Sequence, residues 1–387
     1  METSARGIRI LHVTPAFYPA TYWGGPIYSV FGLCNALAVI PSVSLKVLTT
    51  DSAGSRLRDR VQVTDFPMRF RGYDVFFCRR QWAASVAPGM ILRLWPMIRW
   101  ADAVHVTGVY SPPTIPALLI CRLLGKPLVW SPRGALQRWS GTSHPWAKRL
   151  WERVCNALLV KRRSVLHVTS EDEGHESALR ILRAEIACIP NGIDLPTLPA
   201  ERVWKPKGRL RLLYIGRLDP KKGIENLLAA LAQLLDVEME LAICGRGAAD
   251  YEEALHKVVG ELGLTERVYF RGQVNGAAKN RAFFEADLCV VPSFTENFGM
   301  VVAEALAHGV PVVASRGTPW AEVERRGCGL WVDNTPENLK TAILRMNEGE
   351  LREMGTKGRI WMEEEFPWER IALRMEAVYR RLARGWL

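Results

Sequence analysis

Short apolar runs recur through the first half of the chain, at 8–13, 43–48, 73–78, 103–106, 127–130, 165–168 and 186–189. Each is too short for an ordinary helix and has few polar interruptions, as expected of strands buried on both faces. Between most of them lie stretches with a helical apolar period, at about 27–39, 88–100, 113–124, 144–160 and 171–183. This alternation predicts a parallel sheet with helices on both faces, a doubly wound α/β domain. Pro190-Asn191-Gly192-Ile193-Asp194 closes the series, and the following LPTLPAERVWKPKG, rich in proline and charge, reads as a linker.

A second series then begins. Its strands are expected at 210–215, 239–243, 268–270, 288–291, 311–313 and 329–332, and its helices near 222–235, 249–262, 276–285, 300–308, 320–326 and 335–347. The pattern divides the chain into an N-terminal Rossmann-like domain over 1–195, a linker over 196–208 and a C-terminal Rossmann-like domain over 209–366. The tail from about 350 is helical again, with a break at Pro367, which removes a helical donor and crowds the preceding turn.

A length of 387 residues suits two domains rather than one core, and 48% hydrophobic with 24% charged residues is ordinary globular composition. No apolar run is long enough to span a bilayer, and the first residues lack the apolar stretch and cleavage site of a leader. The eight cysteines are scattered without a CxxC pair, as expected of buried, reduced thiols in a cytoplasmic protein without a metal centre. Charge is distributed unevenly. Residues 1–200 carry 24 Lys and Arg against 13 Asp and Glu, whereas 201–387 carry 27 of each. The excess suits an anionic partner for the first half, and a generally basic surface would give the same count. No RNP, KH or zinc-finger pattern supports nucleic acid as that partner.

Candidate chemistry gathers at expected strand ends. In the stretch 291–314 (VPSFTENFGMVVAEALAHGVPVVA), Glu296 and Glu304 stand seven residues apart around a helix start near Gly299 or Met300. Unpaired N–H groups there suit a phosphate, while the carboxylates suit hydroxyl groups on either side. An amphipathic helix with two solvated glutamates has the same spacing. Upstream, Gly216-Arg217-Leu218-Asp219-Pro220-Lys221-Lys222-Gly223 joins a strand to a helix and supplies two cations, Arg217 and Lys222, suited to a diphosphate. Cys244-Gly245-Arg246-Gly247 is a second strand-end turn, open to close backbone approach. In the first half, Gly24-Gly25 follows the first strand in the same way, although the loop is not GxGxxG.

Taken in order, GRL-x3-KG, ICGRG and E-x7-E ahead of HGVPVVAS resemble the retaining glycosyltransferases of family four, group 1 type. The resemblance covers most of the chain, including the Gly-Gly loop, PNGID and the terminal FPWERIALRMEAVYRRL. It implies a GT-B fold, two Rossmann-like domains facing across a cleft, with residues 367–387 crossing back onto the N-terminal domain. The implied activity is transfer of a sugar from a nucleotide-sugar donor, itself a substrate, to a hydroxyl, without a cofactor or metal. Under it, Arg217 and Lys222 neutralise the donor diphosphate, Glu296 lies beside the donor sugar and Glu304 binds the ribose. The backbone of Asn297, Phe298, Gly299, Met300 and Val301 contacts sugar and phosphates. Gly216, Gly245 and Gly247 line the nucleotide pocket, and Gly24 with Gly25 faces the phosphate.

Relatives commonly carry a histidine where this chain has Trp130-Ser131-Pro132-Arg133-Gly134, and an upstream element is altered to His105-Val106-Thr107-Gly108. Arg133 stays protonated and is no base, so its expected role is a phosphate or acceptor contact. His105 is a second candidate for acceptor contact and equally a candidate core residue. The first half also holds eight of the fourteen tryptophans, at 23, 82, 95, 100, 130, 139, 146 and 151, with basic and aromatic residues mixed at 79–82 and 92–100. Peripheral docking on anionic membrane, where a lipid-linked acceptor of surface polysaccharide or glycolipid synthesis would reside, is one expectation; core packing of those residues is the other. Competing functions are a sugar phosphorylase or nucleotide-sugar epimerase on the same fold, and a non-enzymatic basic binding protein.

Overall fold

The run Ile8–Val13 forms strand β1, in the interior of a sheet of eight strands. The computed structural model describes residues 7–82, 85–137 and 145–385, so Trp139 lies outside the described residues. The other strands are β2 (Val43–Thr50), β3 (Met68–Phe70), β4 (Tyr73–Cys78), β5 (Ala103–Thr107), β6 (Leu128–Ser131), β7 (Ser164–Val168) and β8 (Glu185–Cys188). Their order is β3-β4-β2-β1-β5-β6-β7-β8, and every pairing is parallel except β3 with β4. The three residues of β3, none fully buried, leave no apolar run to read, which is why the sequence pattern did not show it.

Helices α1 (Gly25–Val39), α2 (Pro88–Trp100), α3 (Thr114–Leu123), α4 (Pro145–Leu158) and α5 (Glu171–Ala178) follow strands of this sheet. Successive strand residues point to opposite faces. Ile8 and Ile10 enter a core with α1, while Leu11 and Val13 enter one with α2 and α3. Ser170 caps α5 by accepting from the Glu173 N–H. That helix stops before the expected 183: Leu179 and Leu182 keep the apolar period but are 74% exposed, so no packing extends it.

The second sheet contains β9 (Leu210–Ile215), β10 (Met239–Cys244), β11 (Val268–Gly272), β12 (Leu288–Val291), β13 (Val312–Ser315) and β14 (Gly329–Val332), in the order β11-β10-β9-β12-β13-β14, all parallel. Its helices are α6 (Ile224–Ala232), α7 (Ala249–Glu261), α8 (Gly276–Glu285), α9 (Met300–Ala307), α10 (Glu322–Arg325), α11 (Pro336–Glu348) and α12 (Leu351–Glu365). The proline-rich segment after 193 packs on this unit. Arg202 donates to the carbonyls of Phe283, His308 and Ala286, and Asp287, its side chain fully buried, accepts from the Lys205 and Arg211 N–H groups and the Arg211 guanidinium.

The tail breaks at Phe366-Pro367, and α13 (Trp368–Arg384) follows. The chain accordingly divides into Met1–Gly192 with Trp368–Leu387, and Ile193–Pro367. The apolar row of α13, Trp368, Ile371, Ala372, Met375, Tyr379 and Leu382, packs in the α1 core of the first unit. The Trp368 indole lies where a Cβ at Gly32 or Gly192 would be, so both glycines are required by this contact. Among the described residues no helix is long and apolar enough to cross a membrane.

Candidate active site

Each sheet contains a point where the strand order reverses. In the second unit it lies between β9 and β12, which are neighbours although other strands separate them in sequence. Loops leaving the carboxyl ends of two such strands run in opposite directions and open a crevice between them. The β9 loop holds Arg217 and Lys222, and the β12 loop holds Glu296, so the fold brings these expected residues to one place.

The two loops are stitched together by main chain. The Phe294 N–H of the β12 loop donates to the Lys221 carbonyl of the β9 loop at 2.8 Å, and the Glu296 N–H ties the β12 loop to the one after β13 by donating to the Gly317 carbonyl at 2.8 Å. Asp219 accepts from the Lys221 N–H, which fixes the short turn before α6. Gly223 has a φ of 63°, and a Cβ there would strike Asn334 and the Pro292 carbonyl. On this frame Lys222 Nζ forms an ion pair with Glu296, and the Ser293 hydroxyl donates to the same carboxylate oxygen at 2.8 Å. Both charged side chains are mostly buried, at 16% and 18% exposure. Arg217 is exposed beside them, its carbonyl accepting from the Tyr214 hydroxyl. Burial pushes the Lys221 ammonium below its ordinary value, with the adjacent Lys222 adding to the effect.

Helix α9 begins at Met300, with Gly299 at its N-cap and a φ of 74°. That left-handed backbone favours glycine. Phe298 is buried against Trp320 and Phe366, and the Trp320 N–H donates to its carbonyl, so Phe298 offers a ligand only its backbone. Glu304 forms an ion pair with Lys279 of α8 at 2.5 Å. Any ribose hydroxyl reaching Glu304 would share it with, or displace, that ammonium. Gly216, Gly245 and Gly247 lie where the β9 and β10 loops touch: the Gly216 N–H donates to the Cys244 carbonyl, and a Cβ at Gly245 or Gly247 would collide with the Gly216 or Leu218 carbonyl. Sequence reasoning missed Lys279, Trp320 and Asn334, because each reaches the site from a different loop or helix, and it missed Ser293, three residues before Glu296 in the same loop, because a lone serine there belongs to no spaced motif.

In the first unit the order reverses between β1 and β5. Gly24, with φ 74°, and Gly25, where an added Cβ would meet no atom within 4 Å, form the turn into α1. Packing does not require a glycine at 25, which leaves its backbone open to approach. Arg133, in the left-handed region at φ 53°, follows β6. One guanidinium nitrogen donates to Asn191 Oδ1 at 2.6 Å, while its Nε is buried without a hydrogen-bond partner. Glu173 accepts from the Gly134 N–H and from the Thr169 N–H and hydroxyl, and so ties the Arg133 loop to α5. Burial lowers the Arg133 guanidinium and raises the Glu173 carboxyl, each from its ordinary value.

His105 is fully buried with both ring nitrogens engaged. The direction of each bond follows from one end of the chain. His167 Nε2 meets the Ile189 carbonyl at 2.9 Å and must donate. Its Nδ1 in the neutral ring then accepts from the Ser131 hydroxyl at 2.8 Å, Ser131 Oγ accepts from His105 Nε2 at 2.6 Å, and His105 Nδ1 accepts from the Tyr379 hydroxyl at 2.6 Å. His12 stacks on His105 with ring centroids 4.3 Å apart. Burial holds His12 and His167 down to about 3 and His105 well below its usual range, with Arg133 reinforcing all three. The three rings are therefore neutral at pH 7, and their geometry is that of a satisfied core.

Two family models match the chain: Glycosyltransferase Family 4 over residues 23–196 and Glycosyl transferases group 1 over residues 200–361. The chain is 32% identical over 198 residues to a phosphatidyl-myo-inositol mannosyltransferase of Mycobacterium leprae, covering 50% of this chain and 48% of that one. It is 26% identical over 327 residues to a GDP-mannose:cellobiosyl-diphosphopolyprenol alpha-mannosyltransferase of Xanthomonas oryzae pv. oryzae, covering 82% and 80%. For several of these curated relatives the chain spans only about half their length. Among solved structures, sucrose-phosphate synthase from Thermosynechococcus elongatus superposes with a TM-score of 0.72 at 22% identity, over 98% of this chain and 100% of that one. Anabaena HepE in complex with UDP superposes with a TM-score of 0.73 at 18% identity, over 96% and 100%. These similarities show the GT-B fold.

Proposed function

Because the chain belongs to the family-four, group 1 glycosyltransferases, we propose that it moves a hexosyl group from a nucleotide sugar to a hydroxyl of a glycan or lipid-linked acceptor. The observation that carries this reading is the Lys222–Glu296 pair at the β9–β12 reversal, ahead of the start of α9. It unites a cation for the departing diphosphate, a carboxylate for the sugar hydroxyls and a helix N-terminus in one crevice. The structure of HepE with UDP supports a nucleotide-sugar donor, and the mannosyltransferase relatives support a role in glycolipid or surface polysaccharide synthesis.

In this reading the bond from the anomeric carbon to the diphosphate oxygen breaks, and its electron pair leaves with the phosphate. Arg217 and Lys222 stabilise that developing charge. The acceptor oxygen bonds to the anomeric carbon from the same face, and its proton passes to the departing phosphate oxygen, so configuration is retained. Glu296, already engaged by Lys222 and Ser293, orients the sugar and is not the nucleophile. Arg133, at the end of β6, is the residue proposed to hold a phosphate or hydroxyl of the acceptor. The site is expected at the cytoplasmic face of a membrane, without a resident cofactor.

The test is a thermal-shift and nucleotide-release screen against UDP-, GDP-, ADP- and dTDP-sugars. One donor is expected to raise the melting temperature and release its nucleoside diphosphate on addition of acceptor. If no donor does either, or if turnover needs inorganic phosphate rather than a nucleotide, the reading fails and a phosphorylase takes its place.

A further inference from the structure

Helices α2, α3 and α4 lie side by side on one face of the first sheet. Their outward rows are unlike those of ordinary solvated helices. Leu92 is 79% exposed, Trp146 70%, Leu123 64% and Leu150 56%, and Ile91, Trp95, Leu119 and Val154 are exposed with them. On α4, Trp146, Leu150 and Val154 follow one another at single-turn spacing, with exposed Arg149 and Arg153 alongside. Exposed Arg93, Arg99 and Arg122 stand among the apolar residues of α2 and α3. The three helices together contain one acidic residue, Glu152, which is turned inward and accepts from the Tyr110 hydroxyl. Over residues 88–163 the sequence has 12 Lys and Arg against two Asp and Glu. Helices of the second unit instead carry paired charges on their outer faces, such as Lys257 with Glu261 and Lys357 with Glu353.

A second observation lies at the upper edge of this face. A groove of about 340 Å³ opens between the starts of α2 and α3, and Val86, Pro88, Ile91, Leu92, Pro112 and Pro113 are among its lining residues, none of which is charged. It is continuous with the exposed row through Ile91 and Leu92. Helix starts in a parallel sheet stand at the carboxyl ends of the strands, so the groove lies on the sheet edge that also carries Arg133.

We infer that the outer face of α2, α3 and α4 docks on an anionic bilayer, with the groove receiving a hydrocarbon chain of the lipid. Apolar side chains enter the acyl boundary while the flanking guanidinium groups meet headgroup phosphates, the arrangement of an interfacial helix. Charge complementarity selects this partner: a face with five arginines and no outward acid repels a second copy of itself and suits a surface of negative potential. Only the purpose of docking rests on the glycosyl-transfer reading. The face would place lipid-borne phosphate near the sheet edge that carries Arg133.

Vesicle flotation tests it, with phosphatidylcholine alone and phosphatidylcholine mixed with phosphatidylglycerol. The full chain is expected to float with the mixed vesicles at low salt, to release as salt rises and to leave neutral vesicles largely free. Trp146→Glu combined with Leu150→Glu should cut the bound fraction by about tenfold or more. Arg149→Gln and Arg153→Gln should each weaken binding by about fivefold. Unchanged melting temperature and nucleotide-sugar binding in the variants would show that the fold is intact. No flotation at low salt, equal binding to neutral vesicles, or a glutamate variant that floats like the parent would overturn the inference. So would a dimer in light scattering that the glutamate variant dissolves without any vesicle binding, because the face would then join two copies. A chain that floats but binds no nucleotide sugar sinks the transferase reading alone, and one that turns over donor without floating sinks the docking face alone.

Discussion

Lowering the pH should unfold the first unit through its buried histidines. His12 and His167 are held down to about 3 by burial and by the nearby Arg133 charge, whereas an exposed imidazole titrates near pH 6.5. A base whose folded pKa is depressed binds its proton first in the unfolded chain. Stability is therefore complete above about pH 6.5 and is lost as pH falls toward about 3. Each of these two rings should cost about 2 kcal/mol by pH 5 relative to pH 8, so the pair removes about 4 kcal/mol, a large part of a typical domain's stability. His105 acts in the same direction, and Glu173 in the opposite one, because burial raises its carboxyl. The assay is urea unfolding at fixed ionic strength from pH 8 to pH 5, followed by tryptophan fluorescence. Between pH 6 and pH 5 the unfolding free energy should fall by about 2 kcal/mol from the two rings. His167→Gln should be less stable at pH 8 but lose about half of that slope. A midpoint that stays level from pH 8 to pH 5, or an unchanged slope in His167→Gln, would refute the reasoning.

Lys222→Ala and Glu296→Gln should each lower turnover of the donor by about 100-fold or more, since each removes charge or hydrogen bonding from the developing transition state, with the fold retained by circular dichroism although each leaves a mostly buried charge unpaired. Steady-state nucleotide release checks this, and near-parent kcat in both variants would remove the pair from the site. Trp368→Ala should cost about 3–5 kcal/mol, because it empties the space between Gly32 and Gly192, and should release α13 to protease before the second unit unfolds. Limited proteolysis with mass spectrometry reads that order.

The strands were legible because most are buried on both faces, and a run such as Leu288–Val291 has no polar residue to blur it. The run Met68–Phe70 was not, since only its pairing with β4 makes it a strand. The break at Pro367 was legible from one ring, but the apolar pattern overran α5 because Leu179 and Leu182 keep a helical period while facing water. At the site, Lys222 and Glu296 stand 74 residues apart, and their meeting depends on β9 lying next to β12, which no local spacing encodes. The resemblance supplied that pairing where periodicity alone left it open. The histidine chain was out of reach for the same reason. His12, His105 and His167 are isolated in sequence, and strand register turns all three toward the face that Tyr379 closes.

The tail that supplies Tyr379 and Trp368 belongs to the unit that begins the chain. A ribosome makes residues 1–192 first, yet their core lacks its α13 row until that helix has been translated. Residues 193–367, continuous in sequence, have no such wait. The second unit can therefore form while the first still lacks the helix whose Trp368 fills the space beside Gly32. A truncation that removes α13 would therefore uncover apolar core in a unit whose other residues are translated well before that helix.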